Sequence, residues 1–134
     1  APTTISWGMD NRTTAIRTVS ELDGGLHLEH RVPGSDANPY LSMAACLASG
    51  LYGIKHKLSL KDSFAKGNAY EVSTLHKLPD TLVMAVDQMK HSEIPNELFG
   101  DVFVEHFLKT RYWEIEKSEK KDLDWELSRY LEII

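Results

Sequence analysis

Three observations predict an α+β fold. Residues 13–32 hold two β-type stretches separated by an Asp-Gly-Gly turn, a β-hairpin at about 13–32. Residues 39–54 are apolar or small nearly all round, as in a helix buried on most sides. From residue 79 onward, apolar side chains recur at helical spacing in three further stretches. The expected order is therefore a hairpin, a buried helix and three further helices, within a length of 134 residues that suits one domain.

Residues 1–12 read as a loop, with Trp7-Gly8 and Asp10-Asn11 as turn signals. The chain opens on no element that could stand first in a compact fold, so it reads as a piece of something longer. Thr13 to Val19 is β-branched and alternating, hence a strand. The turn at 21–25 leads to a second strand at about 26–32, and the hairpin expects neighbouring strands, because two strands alone are marginal. Asn38 is a candidate cap and Pro39 fits the first helical position. The helix it opens places Cys46 among apolar neighbours. It falls short of the roughly 20 apolar residues a membrane span needs, and Ser and Gly interrupt it.

Residues 58–78 show weak periodicity and read as a surface loop turning at Lys66-Gly67-Asn68. Pro79 opens the next helix, whose stripe is Leu82, Val83, Val86 and Met89. Pro95 to Leu98 reads as a short turn ending near Gly100. Asp101 can cap a helix with Val104, Phe107, Leu108 and Ile115 on its apolar side. Lys117 to Lys121 reads as a solvated link. Asp122 or Asp124 then caps a last helix striped by Leu127, Tyr130, Leu131 and Ile134.

The net charge of −5 argues against an electrostatic nucleic-acid surface. Residues 1–60 carry five basic and five acidic side chains, so the acidic excess lies wholly in the remainder. With one cysteine, no disulfide can form within the chain, which suits a reducing, cytoplasmic compartment. The six histidines have no metal-type spacing. No membrane or nucleic-acid partner is expected.

The chemically suggestive residues lie on the second strand. Alternation puts His27, Glu29 and Arg31 on one face, and Leu26, Leu28, His30 and Val32 on the other, which should pack on a core. By pattern alone the charged row reads as a solvated face with one ion pair. Arg12 and Arg17 are five apart, so they share a face only if Arg12 lies in the entering loop or a bulge intervenes.

The stretches WGMDNRTTAIR and LEHRVPGSDANPYLSMAACLASGLYGI resemble the C-terminal part of the glutamine synthetase catalytic domain. The tail segments LPDTLVMAV, ELFGDVFVEHFLKTRYWE and DWELSRYLEII fit as well, so the resemblance covers essentially the whole chain. Within that superfamily, LEHRVPGSDANPYL looks most like the branch containing γ-glutamylpolyamine synthetases and the lens protein lengsin. The resemblance implies the C-terminal portion of a creatine-kinase-like α+β domain. The N-terminal β-grasp domain and the first part of the catalytic domain would precede residue 1.

It also implies an ATP-dependent ligase with a two-metal site (Mg²⁺ or Mn²⁺) that forms γ-glutamyl phosphate from glutamate. Ammonia or another amine then displaces phosphate, in a ring-forming homo-oligomer. A γ-glutamylpolyamine synthetase and a non-catalytic, lengsin-like protein are the alternatives. By position in the matching motifs, Arg12 and Arg31 correspond to catalytic arginines at the phosphoryl and glutamate site. Arg17 and His27 correspond to residues at the nucleotide phosphates, where many members carry Arg or Lys in place of His27. Glu29 corresponds to a metal ligand. With at most one metal ligand in the chain, the isolated chain is expected to be inactive. The resemblance reverses the reading of the charged row, from solvated face to active-site residues of the longer protein.

Overall fold

A computed structural model describes residues 1–20, 24–60, 63–119 and 123–131. It contains strands β1 (Trp7–Met9), β2 (Ile16–Ser20) and β3 (Leu26–His30) and helix α1 (Pro39–Lys55). A 3₁₀ turn at Ala69–Glu71 precedes helices α2 (Leu82–Lys90), α3 (Ile94–Phe99), α4 (Asp101–Ser118) and α5 (Leu123–Tyr130). The chain falls into two compact units, Ala1–Leu78 and Pro79–Ile134. The mixed α+β class is as expected. The expected turn residues 21–23, the link residues 120–121, the cap Asp122 and the stripe residue Ile134 lie outside the described residues.

In the first unit the sheet order is β1-β2-β3. The expected strands pair antiparallel, with Arg17 opposite Glu29 and Val19 opposite His27, but β2 starts at Ile16 rather than Thr13 and β3 ends at His30. Part of the N-terminal stretch expected to be a loop is instead β1, parallel to β2 with Gly8 opposite Arg17. Parallel neighbours normally need a crossover of about a dozen residues or more. Here residues 10–15 suffice, because Asp10 takes a left-handed backbone with φ of 46° and reverses the chain.

Asn11 holds that crossover. Its side-chain amide donates to the carbonyls of Ala65 (3.3 Å) and Gly67 (2.6 Å). Its side-chain oxygen accepts from the Thr13 amide (2.9 Å) and hydroxyl (2.7 Å). The hydroxyl of the fully buried Thr14 shares its one proton between the carbonyls of Asn11 and Ile16. Gly8 allows the close approach, since a Cβ there would lie 2.9 Å from both the Ala65 carbonyl oxygen and the Asn11 Cβ.

The expected surface loop at 58–78 turns out to supply much of the first unit's core. Ala65, Ala69 and Leu75 are buried, with Val72 packed against them. The Ala65 amide donates to the Trp7 carbonyl, and the Trp7 indole N–H donates to the Leu60 carbonyl at 2.7 Å. This segment shows no period because it is held as an irregular partner of β1, through backbone hydrogen bonds and small side chains.

Helix α1 starts as expected: the Asn38 side-chain oxygen accepts from the amides of Tyr40 and Leu41, and Pro39 is the first helical residue. The expectation that this helix is buried is not met, since none of its residues is buried. Tyr40, Met43 and Ile54 are 84, 72 and 77% exposed, and Cys46 is exposed as well. The apolar back of β3 is also uncovered, with Leu26 and Leu28 exposed. An apolar surface is buried only where other groups reach it. The buried residues of this unit gather instead where the crossover meets the 64–75 segment.

In the second unit Thr81, rather than a residue nearer Pro79, caps α2 by accepting from the Met84 amide. The expected turn at 95–98 is a six-residue helix, α3, so among the described residues four helices follow α1 rather than three. Gly100, at φ of 79°, ends α3 and stands at the cap of α4, where Asp101 was expected. Among the described residues of this unit, Val86 and Val104 are the buried apolar ones, on packed helices α2 and α4.

The link between α4 and α5 is polar. Glu114, buried, accepts two hydrogen bonds of 3.1 Å from Arg129 and one from the Tyr130 hydroxyl. Burial and the Glu114 carboxylate push the Tyr130 phenol up to about 12. Burial pushes Glu114 upward, but the Arg129 and Tyr130 hydrogen bonds outweigh it and hold the carboxyl below its ordinary value. Among the described residues, no helix is long and apolar enough to cross a membrane.

Asn11→Ala should destabilise the first unit by about 2–3 kcal/mol, since it leaves the Ala65 and Gly67 carbonyls and the Thr13 amide without their partner. Denaturant unfolding measures this, and a loss under about 0.5 kcal/mol, the scale of an ordinary surface substitution, would show that Asn11 does not hold the crossover.

Candidate functional site

The candidate site is a row of charged side chains on one face of the three-stranded sheet. In an antiparallel pair, directly opposed residues share a face, so the register places Arg17 beside Glu29. The Arg17 Nη1 donates to Glu29 Oε2 at 2.9 Å. Two residues further along β3's direction, Arg31 Nη1 donates to the other oxygen, Glu29 Oε1, at 2.8 Å. One carboxylate thus lies between two guanidiniums. Asp10, just past the end of β1, accepts from Arg17 Nε at 2.9 Å and also from Nη2. The row runs Asp10, Arg17, Glu29, Arg31, with alternating sign.

The Arg17 and Arg31 side chains are 18 and 25% exposed, against 75% for Asp10. The Arg17 hydrogen bond holds the Glu29 carboxyl below its ordinary value, against the upward push of burial and with further help from the Arg31 hydrogen bond. The Arg17 hydrogen bond does the same for Asp10. The two carboxylates, Glu29 first, raise the guanidinium of Arg17. The Nε of Arg31 is buried and has no hydrogen-bond partner among the described residues, so Glu29 does not satisfy the whole guanidinium.

Of the five residues singled out in the sequence, Arg17, Glu29 and Arg31 are brought together. His27 shares their face on β3 by alternation and is exposed. Arg12 lies in the entering loop, exposed, so the condition under which it and Arg17 could share a site is the one realised. His30, on the opposite face, is lowered by burial. Among the described residues, no group of three or more His, Cys, Asp or Glu is placed to hold a metal ion.

Asp10 is a member of the row that the sequence alone does not mark. Its available signal was its place immediately before Asn11-Arg12, but only β1, whose three residues carry no strand pattern of their own, brings it to Arg17.

Residues 1–130 match the family described as "Glutamine synthetase, catalytic domain". The chain belongs to the glutamine synthetase family. It is 45% identical to type-1 glutamine synthetase 2 of Dictyostelium discoideum, over 100% of this chain and 26% of that protein. It is 44% identical to a glutamate–isopropylamine ligase of Pseudomonas, over 96% of this chain and 28% of the relative. A gamma-glutamylethanolamide synthetase of Streptomyces coelicolor is 39% identical over 98% of this chain and 28% of its own length. The chain therefore spans a little over a quarter of these relatives.

A carboxyl group lowered on folding contributes stability that is present above its unfolded value and is lost as pH falls through the folded one. Glu29 and Asp10 should accordingly stay ionised at pH values where free carboxyls protonate. Arg17→Met should move both titrations upward, which side-chain carboxyl NMR shifts followed against pH would read. Titrations unmoved by that substitution would contradict the hydrogen-bonded row.

Proposed function

We propose that this chain is the C-terminal part of a glutamine-synthetase-type catalytic domain. In this reading the β-grasp domain and the first part of the catalytic domain belong to the same longer protein. That protein is a cytoplasmic, ring-forming ATP-dependent glutamate–amine ligase, and this chain alone does not turn over. The observation that carries the reading is Glu29 held between Arg17 and Arg31 on one sheet face. Supporting it are the family match and the exposed apolar surfaces of α1 and β3, which suit contact with further parts of such a domain.

The chemistry asks for these groups. A transferring phosphoryl group spreads negative charge over its oxygens, and fixed guanidiniums stabilise that charge without reorganising. Arg31, and Arg12 on the adjacent loop, are assigned to the glutamate and phosphoryl groups. Arg17 and His27 are assigned to the nucleotide phosphates.

Glu29 fits a divalent cation as one ligand among several. It is held ionised, and each oxygen, accepting one guanidinium N–H, has a lone pair left. A bound Mg²⁺ or Mn²⁺ would neutralise phosphate charge there. Ammonia is the nucleophile in this reading, as for the relatives named glutamine synthetase, and a polyamine or a small organic amine of the kind named for the other relatives is the alternative.

The test is Mg²⁺-dependent ADP release by the full-length protein with glutamate, in the presence of ammonium, isopropylamine, ethanolamine or a polyamine. Stimulation by one of these amines is expected, with kcat lowered about a hundredfold or more by Arg31→Ala, the scale for removing a preorganised charge-stabilising donor. No stimulation by any of them would overturn the ligase reading and favour a non-catalytic member.

A further inference from the structure

We propose that Asp10 is a positioning residue, whose carboxylate fixes the guanidinium of Arg17 for a nucleotide phosphate. The inference rests on the assignment of Arg17 to the nucleotide phosphates, and goes beyond it by adding a residue outside the five singled out in the sequence. Arginine has five N–H donors in a rigid plane. Asp10 takes the Nε side of that plane together with Nη2, and Glu29 takes Nη1. Carboxylates on two sides of the group fix the orientation of the plane. They leave at most two N–H donors, one on each terminal nitrogen, for a further anion. A flexible side chain anchored at one nitrogen alone would retain rotamer freedom, to be lost when that anion binds.

Two features show that Asp10 is placed for Arg17 rather than for the core. Its side chain is 75% exposed, and an exposed ion pair of this kind adds little to stability. Its backbone is nevertheless fixed, with the amide donating to the Thr18 carbonyl at 2.8 Å and φ at 46°. The crossover thus aims the carboxylate at the neighbour of Thr18 on β2. Glu29, if it also ligates a cation, has less negative charge to hold Arg17, and Asp10 is then its remaining anchor.

The left-handed backbone at residue 10 guides the test. Asn and Gly both tolerate φ above zero, so Asp10→Asn and Asp10→Gly remove the charge or the whole group without straining the turn. In the full-length protein, each should raise the KM for ATP and weaken calorimetric ADP binding about tenfold, the scale of one charge-assisted hydrogen bond. The KM for glutamate and kcat should stay within about twofold, and the thermal midpoint should move by no more than about 2 °C.

On an Arg17→Met background, Asp10→Asn should weaken ADP binding no further, because its effect runs through Arg17. Unchanged ADP binding in Asp10→Asn, or an effect fully additive with Arg17→Met, would overturn the inference while leaving the ligase reading intact. If Arg17→Met itself leaves ADP binding unchanged, the assignment of Arg17 falls and the role of Asp10 falls with it.

Discussion

The antiparallel register that sets Arg17 opposite Glu29 is the constraint on which the candidate site depends. Side chains alternate along a strand, so a slip of one residue would send Glu29 and Arg31 to the face that now carries Leu28 and His30. With the register fixed, one carboxylate accepts from two guanidiniums, and the charges that would repel as an arginine pair are held together by Glu29. The row is half-exposed rather than buried, so its contribution to stability is modest. Its effect is on geometry: it holds positive groups at set positions on a rigid sheet.

That sheet is steadied from its other edge. The crossover between β1 and β2 is too short for a helix, and small and polar groups keep it in place: Asn11, buried Thr14, and Gly8 against the Ala65 carbonyl. The segment around Ala65 and Ala69 closes over it, the Ala69 amide donating to the Thr13 hydroxyl at 2.8 Å. The same crossover turns the chain at Asp10 and delivers a carboxylate to Arg17. Core construction and site construction therefore share residues 8–15.

What the sequence made legible were features with local causes. The Asn38-Pro39 start of α1 follows from capping chemistry alone. The common face of Glu29 and Arg31 follows from alternation, and the motif resemblance found the family that the comparison over residues 1–130 bears out. Features set by distant partners were not legible. Strand β1 is three residues long and exists because β2 and the 64–65 segment flank it. The irregular 63–78 stretch supplies core residues without any period.

The apolar pattern of α1 described what its side chains favour, while their exposure reflects what reaches them in this chain. The contact of α4 with α5 through Glu114 and Arg129 escaped a reading that looked for apolar stripes.

In the proposed function these arginines and Glu29 belong to a site that activates the γ-carboxylate of glutamate as an acyl phosphate. In that chemistry a carboxylate oxygen attacks the γ-phosphorus of ATP. The amine then attacks the carbonyl carbon, and phosphate leaves with the oxygen that bridged them. The most direct measurement gives the full-length protein glutamate labelled with ¹⁸O in its γ-carboxylate, with ATP and the accepted amine, and reads the released inorganic phosphate by mass spectrometry. One labelled oxygen is expected in that phosphate. Unlabelled phosphate would mean that water, not glutamate, receives the phosphoryl group, and would contradict the proposed function.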